Sequence, residues 1–189
     1  SPTSDISEEE RDMLADYVSG GGKLMVMAGP VENGSLDNLY SLLSDYGVKA
    51  NEGIVVEGDR NHYALQMPYI ILPDMGSSEI TDPLIEENYY VLMPISTGLT
   101  VEETTNGTVT QLLTTSEYAF SKTAGYNIST YEKEEEDIDG PFTLAVSVES
   151  TGGGKMVWFT SSHFIDDMYN AYSSGANVDM SMNLSLIHI

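Results

Sequence analysis

The apolar positions fall into blocks whose spacing names the elements. Met13, Leu14, Tyr17 and Val18 recur at helical spacing behind the acidic run Glu8, Glu9, Glu10, and Ser7 stands three residues before Glu10, the spacing of a capping box. This predicts a helix that starts at Ser7 and ends in Gly20, Gly21 and Gly22. The run at 24–28 has no polar alternation, which predicts a strand covered on both faces, as in a parallel sheet with helices above and below. Leu36, Leu39, Tyr40, Leu42 and Leu43 predict a second core-facing helix with Gly47 as its terminator, and "GIVVEG" a short buried strand.

From 60 to 138 the character changes. Pro68, Pro73, Pro83 and Pro94 punctuate runs such as "YIILP", "YYVLMPI" and "TVTQLLTTS", which read as a β-rich insertion. The acidic segment "YEKEEEDIDG" lacks the alternating ligands and terminal glutamate of an EF-hand loop and reads as a solvated loop. "FTLAVSVES" and "KMVWFTSS" then read as neighbouring strands or a hairpin with a glycine turn. A short helix, a glycine break and the start of another helix follow.

The segment "GGGKLMVMAGP" returns later as "GGGKMVWFTSS". A phosphate loop needs its glycines between a strand and a helix N-terminus, with Ser or Thr after the lysine. Here the glycines precede the strand, and Leu24 and Met156 follow the lysines, so both runs read as strand entrances.

Composition narrows the function classes. The 189 residues carry 30 acidic against 7 basic side chains, a formal charge of −23, which disfavours nucleic acid and anionic membranes as partners. The length suits one sizeable core. There is no cysteine, so disulfides, thiolate–metal sites and a cysteine nucleophile are excluded within this chain. No apolar run reaches the roughly 18 residues of a membrane span. The chain opens on a loop where a doubly wound domain opens on a strand, so the fold reads as truncated at both ends. Residues 184–189, "LSLIHI", match one frame of a sequencing-library adapter and are expected to be an artefact, leaving 1–183 as one domain fragment.

Taken in order, "SPTSDISEEE", "LADYVSGGGKLMV", "LDNLYSLLSDYGV", "GIVVEGD", "LPDMGSSEITDPL", "YYVLMPISTGL", "LLTTSEYAFSK", "DGPFTLAVSVE" and "GGKMVWFTSSHFIDD" resemble the Gldg-family, ABC-type auxiliary transport domain of membrane-anchored bacterial proteins, over nearly all of 1–183. The resemblance implies an α/β fold, Rossmann-like or flavodoxin-like with a mostly parallel sheet, distantly akin to class I glutamine-amidotransferases. It further implies a location on the extracytoplasmic side of the cytoplasmic membrane, held by helices outside this chain, beside an ABC transporter permease and ATPase.

No enzyme, cofactor or metal site is expected. Amidotransferase chemistry needs a cysteine, and "FTSSHF" has no glycines flanking its serines for a nucleophile elbow. Ser161 or Ser162 reads as a helix cap. His62 with Asp59 and Asp74 lacks ligand spacing, and His62 reads as a solvated loop histidine. Two readings remain. A non-catalytic module acting through protein contacts predicts a broad exposed apolar or aromatic patch and no deep polar pocket. A module for a neutral small molecule or glycan predicts a crevice at the strand ends, formed by Gly29, Pro30, Ser161, Ser162 and His163.

Overall fold

The computed structural model describes residues 2–188, with side chains described through Asn183. Helix α1 (Glu8–Ser19) opens with the expected capping box: Ser7 Oγ accepts from Glu10 N at 3.2 Å, and Glu10 Oε2 accepts from Ser7 N at 2.8 Å. Its buried face is narrower than the sequence pattern. Val18 is buried and Leu14 and Ala15 pack on the core, while Met13 and Tyr17 are 71% and 54% exposed. Strand β1 (Lys23–Met27) follows, then α2 (Asp37–Ser44), β2 (Val48–Ala50) and β3 (Ile54–Val56).

The middle of the chain is β-rich, as expected. It holds β4 (Ile70–Ile71), β5 (Asp74–Met75), α3 (Asp82–Glu86), β6 (Met93–Pro94), β7 (Leu99–Val101), β8 (Gly107–Thr114), β9 (Phe120–Lys122) and β10 (Ile138–Asp139). The chain closes with β11 (Thr143–Ser150), β12 (Lys155–Phe159), α4 (Asp167–Tyr172) and α5 (Ala176–His188). The side chains of the adapter-like tail, 184–189, lie outside the described residues.

The fold is α/β, built on a seven-stranded sheet that runs β1-β12-β11-β7-β2, with β8 on β11 and β5 on β8. The expectation of a mostly parallel sheet is corrected. Only β1 and β12 run parallel, in register from Lys23↔Lys155 to Met27↔Phe159, and every other pair in this sheet is antiparallel. The cause is local: β11 and β12 are joined by the tight glycine turn at 151–154, and a tight hairpin pairs its strands only antiparallel. Smaller sheets, β10-β9-β3 and β4-β6, complete the β structure among the described residues. Strands β7 and β8 of the middle region thus belong to the main sheet.

Helices cover both faces of β12. Met156 and Trp158 face the cluster shared with α1 and α2, whereas Val157 and Phe159 face the cluster that holds Leu84 of α3 and Met180 of α5. Two-sided coverage therefore falls on β12, not on β1. Strand β1 is at the sheet edge, and Met25 is 50% exposed.

Candidate functional site

The two apolar runs that follow the glycines are neighbours, so their C-terminal ends meet. Gly29 N donates to Ser162 Oγ at 2.9 Å, and a Cβ on Gly29 would come 2.9 Å from Ser162 N and 3.0 Å from Ile95 O. The structure thus brings Gly29 onto Ser161 and Ser162. It also fills much of the crevice expected there. The segment 94–98 crosses the end of β12: Thr97 N donates to Thr160 O at 3.0 Å, Ser96 bridges Ser161, and Ser161 Oγ donates to Pro94 O. Ser161 is fully buried as a result. Ile95 takes φ +48°, a left-handed conformation uncommon for a β-branched residue.

Ser161 does not cap a helix. Its Oγ accepts from His163 N at 3.2 Å in a turn, and α4 starts only at Asp167 with Asp166 as its N-cap. His163 swings outward to Asp166, Nδ1 to Oδ2 2.7 Å, with 41% of its side chain exposed. No residue stands placed as a nucleophile beside a base here.

The open space lies to one side. A cleft of about 520 Å³ is lined by 29–32, 34–37, Tyr40, 50–53, Thr97 and 123–127, so Gly29 and Pro30 belong to its wall whereas Ser161, Ser162 and His163 do not. Volumes of this size are usual for small-molecule sites. Tyr40 forms the floor. Its hydroxyl donates to Ala28 O at 2.6 Å, and its ring lies 5.0 Å from that of Trp158. Burial pushes the Tyr40 phenol up to about 12, against the pull of Thr97 and Trp158 nearby, so it stays neutral.

Two devices shape the walls. Asp5 caps α2 from a distance, Oδ2 accepting from Asn38 N at 2.8 Å and Oδ1 from Leu39 N at 3.0 Å. The amide groups that a helix N-terminus offers to an anion are therefore taken by a carboxylate of the chain itself. Opposite, the wall 123–127 leaves β9 directly after Lys122, which is fully buried. Lys122 Nζ reaches Glu134 Oε2 at 2.5 Å, Asp137 Oδ2 at 2.8 Å and the Glu132 carbonyl at 3.0 Å. Burial works against the Lys122 charge, but the two carboxylates win and hold its pKa above the usual lysine range. Asp137, 3% exposed, is also opposed by burial, and its bond to Lys122 holds it below the usual carboxylate range. The acidic segment is thus a clamp on a buried lysine as well as a solvated loop, a role its composition hid.

The glycine runs meet each other. Lys155 N donates to Gly22 O at 3.0 Å, and a Cβ on Gly152 or Gly154 would strike the Ser19 or Val18 carbonyl. They pack on the carbonyl end of α1, the pole that repels phosphate, as their reading as strand entrances requires.

His62, read from sequence as a loop histidine, is drawn between two carboxylates: Nδ1 is 2.9 Å from Asp59 Oδ2, and Nε2 is 3.5 Å from Asp74 Oδ1. Partial burial disfavours its charge, yet these neighbours raise its pKa above the ordinary histidine value. Among the described residues no group of three or more His, Cys, Asp or Glu is placed to hold a metal ion. Nor is any described helix long and apolar enough to cross a membrane.

The fold is similar to that of a solved structure, "mmIFT52 N-terminal domain", with a TM-score of 0.66 and 20% identity over 98% of this chain and 72% of that one, a likeness of fold alone. No curated protein matches the chain. Residues 1–152 match the family described as an ABC-type uncharacterized transport system, which agrees with the resemblance carried by the ordered motifs. The chain belongs to this family of ABC transport auxiliary domains.

Proposed function

We propose that the chain is the non-catalytic, extracytoplasmic domain of a membrane-anchored, Gldg-type auxiliary component of a bacterial ABC transport system. It works by protein contact with the permease, which couples it to the ATPase of the same system. Family membership supports the transport context. The observation that carries the contact role is an exposed aromatic surface.

That surface is built on the small core of Ile70, Leu92 and Tyr169, against which Tyr69 packs. The Tyr69 and Tyr131 rings lie 5.7 Å apart, and Tyr90 donates its hydroxyl to Tyr172 O at 3.0 Å. Tyr90, Tyr131 and Tyr172 remain 49%, 47% and 51% exposed, with Met67 at 43% and Met168 at 53%. Tyrosine and methionine are enriched where proteins meet, since they bring large contact area with a polar or adaptable end. Such a surface is what the contact reading expects, whereas its other expectation, that there is no deep polar pocket, stands against the cleft beside Gly29 with Glu32, Asp37 and Glu52 in its lining.

The test is co-purification of the full-length auxiliary protein with its permease and ATPase. Tyr90→Ser combined with Tyr131→Ser should reduce recovery of the permease while the fold is retained; undiminished recovery refutes this surface. The side of the membrane is tested separately. The chain lacks cysteine, so Tyr118→Cys, at a residue 63% exposed, gives one thiol in this domain. A membrane-impermeant maleimide should label it in intact cells, and labelling only after lysis refutes the extracytoplasmic location.

A further inference from the structure

Asparagine followed by glycine occurs at Asn33–Gly34 and again at Asn106–Gly107, and the fold treats the two pairs differently. The pair carries a chemistry of its own. Glycine has no Cβ to shield its amide nitrogen and little to restrict its backbone, so that nitrogen can swing onto the side-chain carbonyl carbon of the asparagine before it. Whether it does so depends on what holds the two residues.

Nothing holds the first pair. Residues 32–34 form a bend between β1 and α2, outside any helix or strand, and Asn33 and Gly34 are both exposed. Neither the Asn33 side chain nor the Gly34 N–H has a hydrogen-bond partner among the described residues. Gly34 takes φ +84°, and a Cβ built on it would meet no atom within 4 Å. The side-chain bond that follows, from Ser35 Oγ to Asp37 Oδ2 at 2.7 Å, bypasses both residues.

The second pair is held by its surroundings. Asn106 Nδ2 donates to Asp45 O at 2.6 Å, Asn106 N donates to Thr104 Oγ1 at 3.2 Å, and Asn106 O accepts from Thr151 N at 3.0 Å. Gly107 opens β8 opposite Ser150, and a Cβ on it would stand 2.3 Å from Glu149 O. The Asn106 amide therefore turns to the Gly107 nitrogen only when the end of β8 opens.

We propose that Asn33 is a site of spontaneous deamidation and that the fold protects Asn106. The Gly34 backbone nitrogen gives its proton to solvent base and attacks Asn33 Cγ; the Cγ–Nδ2 bond breaks, and the nitrogen takes up a proton and leaves as ammonia. Water then opens the cyclic imide at either carbonyl carbon, which gives aspartate or isoaspartate at position 33. The change lands on the cleft. Glu32, Gly34, Ser35 and Asp37 line it, so the product adds a carboxylate to the loop that forms this wall, and the isoaspartyl form also inserts an extra carbon into the loop backbone. The charge of the wall thus depends on the age of the molecule.

The experiment ages the 189-residue chain at mildly alkaline pH and body temperature, with a matched sample in urea, and follows both asparagines by peptide mass mapping and isoaspartyl methyltransferase labelling. In buffer Asn33 should convert about tenfold faster than Asn106 or more, and in urea the two rates should converge. Gly34→Ala, whose added methyl group has open space, should slow conversion at 33 and leave the rate at 106 unchanged, with circular dichroism to check the fold. If that variant does not fold, the comparison of buffer with urea in the parent chain decides the question alone. Equal rates at the two sites in buffer, faster conversion at Asn106, no conversion at 33 while both sites convert in urea, or a rate at 33 that ignores a folded Gly34→Ala would each overturn the proposal.

Discussion

Gly154 lies so close to Val18 that a Cβ on it would stand 1.8 Å from the Val18 carbonyl oxygen. The contact joins the hairpin turn before β12 to the C-terminal turn of α1, so the second glycine run is fixed by the end of the helix that the first run terminates. Gly154→Ala must push two backbones apart. We expect it to cost about 3 kcal/mol or more, at or above the upper end of ordinary overpacking. Gly153 has nothing within 4 Å and only its φ of +83° to defend, so Gly153→Ala should cost about 1–2 kcal/mol. Urea midpoints should keep this order; equal losses would mean that backbone conformation, not close approach, selects glycine there.

The same geometry bears on Lys155, whose ammonium stands 3.7 Å from Glu149 on an exposed hairpin. Lys155→Ala should change stability by about 0.5 kcal/mol or less. Calorimetric titration with nucleotides should show no binding to the parent chain. Saturable nucleotide binding that disappears in Lys155→Ala would restore the phosphate reading of the glycine runs.

Replacing Lys122 by Met leaves Asp137 buried without its cation, a loss of about 3–5 kcal/mol. The pair also fixes a pH response. Asp137 is held low in the fold, so its contribution is present above about 3.9, the unfolded value, and is lost as pH falls through the folded value. Lys122 is held high, so its contribution is present below about 10.4 and is lost as pH rises through its folded value. In Lys122→Met with Asp137→Asn both limbs of the stability curve should flatten; a curve of unchanged shape would show that the clamp does not govern it.

Much of this was legible in the sequence where the cause is local. Ser7 and Glu10 specify a cap by themselves, the glycines of 152–154 specify a turn, and the two repeated runs do end side by side. What escaped depends on residues far apart in the chain. Nothing near Ile95 announces a left-handed residue, or that Ser96 pairs with Ser161 and closes the strand ends. Nothing near Lys122 announces that its partners are Glu134 and Asp137. Those two long-range events moved the open space from Ser161 and His163 to the side of α2, and only Gly29 and Pro30 remained in its wall.

His62 makes a second pH-sensitive joint. Its pKa is raised, so the stability it lends is fully present below about 6.5, the unfolded value, and is lost as pH rises through the folded value. The groups facing it are Asp59, Asp74 and, at longer range, Glu57. An NMR titration should place the His62 midpoint above that of an unfolded peptide, and Asp74→Asn should lower it. A midpoint at or below the peptide value would mean that burial outweighs the carboxylates.

Tyr40 gives the sharpest test of the cleft floor, because one atom separates Tyr40→Phe from the parent. At neutral pH the variant loses the hydrogen bond to Ala28 O, leaves that buried carbonyl without it and gives up the hydroxyl's interactions with Thr97 and Trp158, a cost of about 1–2 kcal/mol. The alkaline limb carries more information. The folded phenol titrates at about 12 against 10.0 for the ordinary value, so its contribution is fully present below the ordinary value and drains away as pH rises through the interval between the two. The parent should therefore be the more stable of the two below that interval and lose this lead across it, with the order reversing at its upper end, because only the parent has a phenol to ionise at this position. Tyrosinate absorbance should show one phenol fewer titrating late in the variant. Tyr69, Tyr126 and Tyr169 are also raised, so the count decides: if as many phenols titrate late in Tyr40→Phe as in the parent, the neutral floor assigned to Tyr40 is wrong.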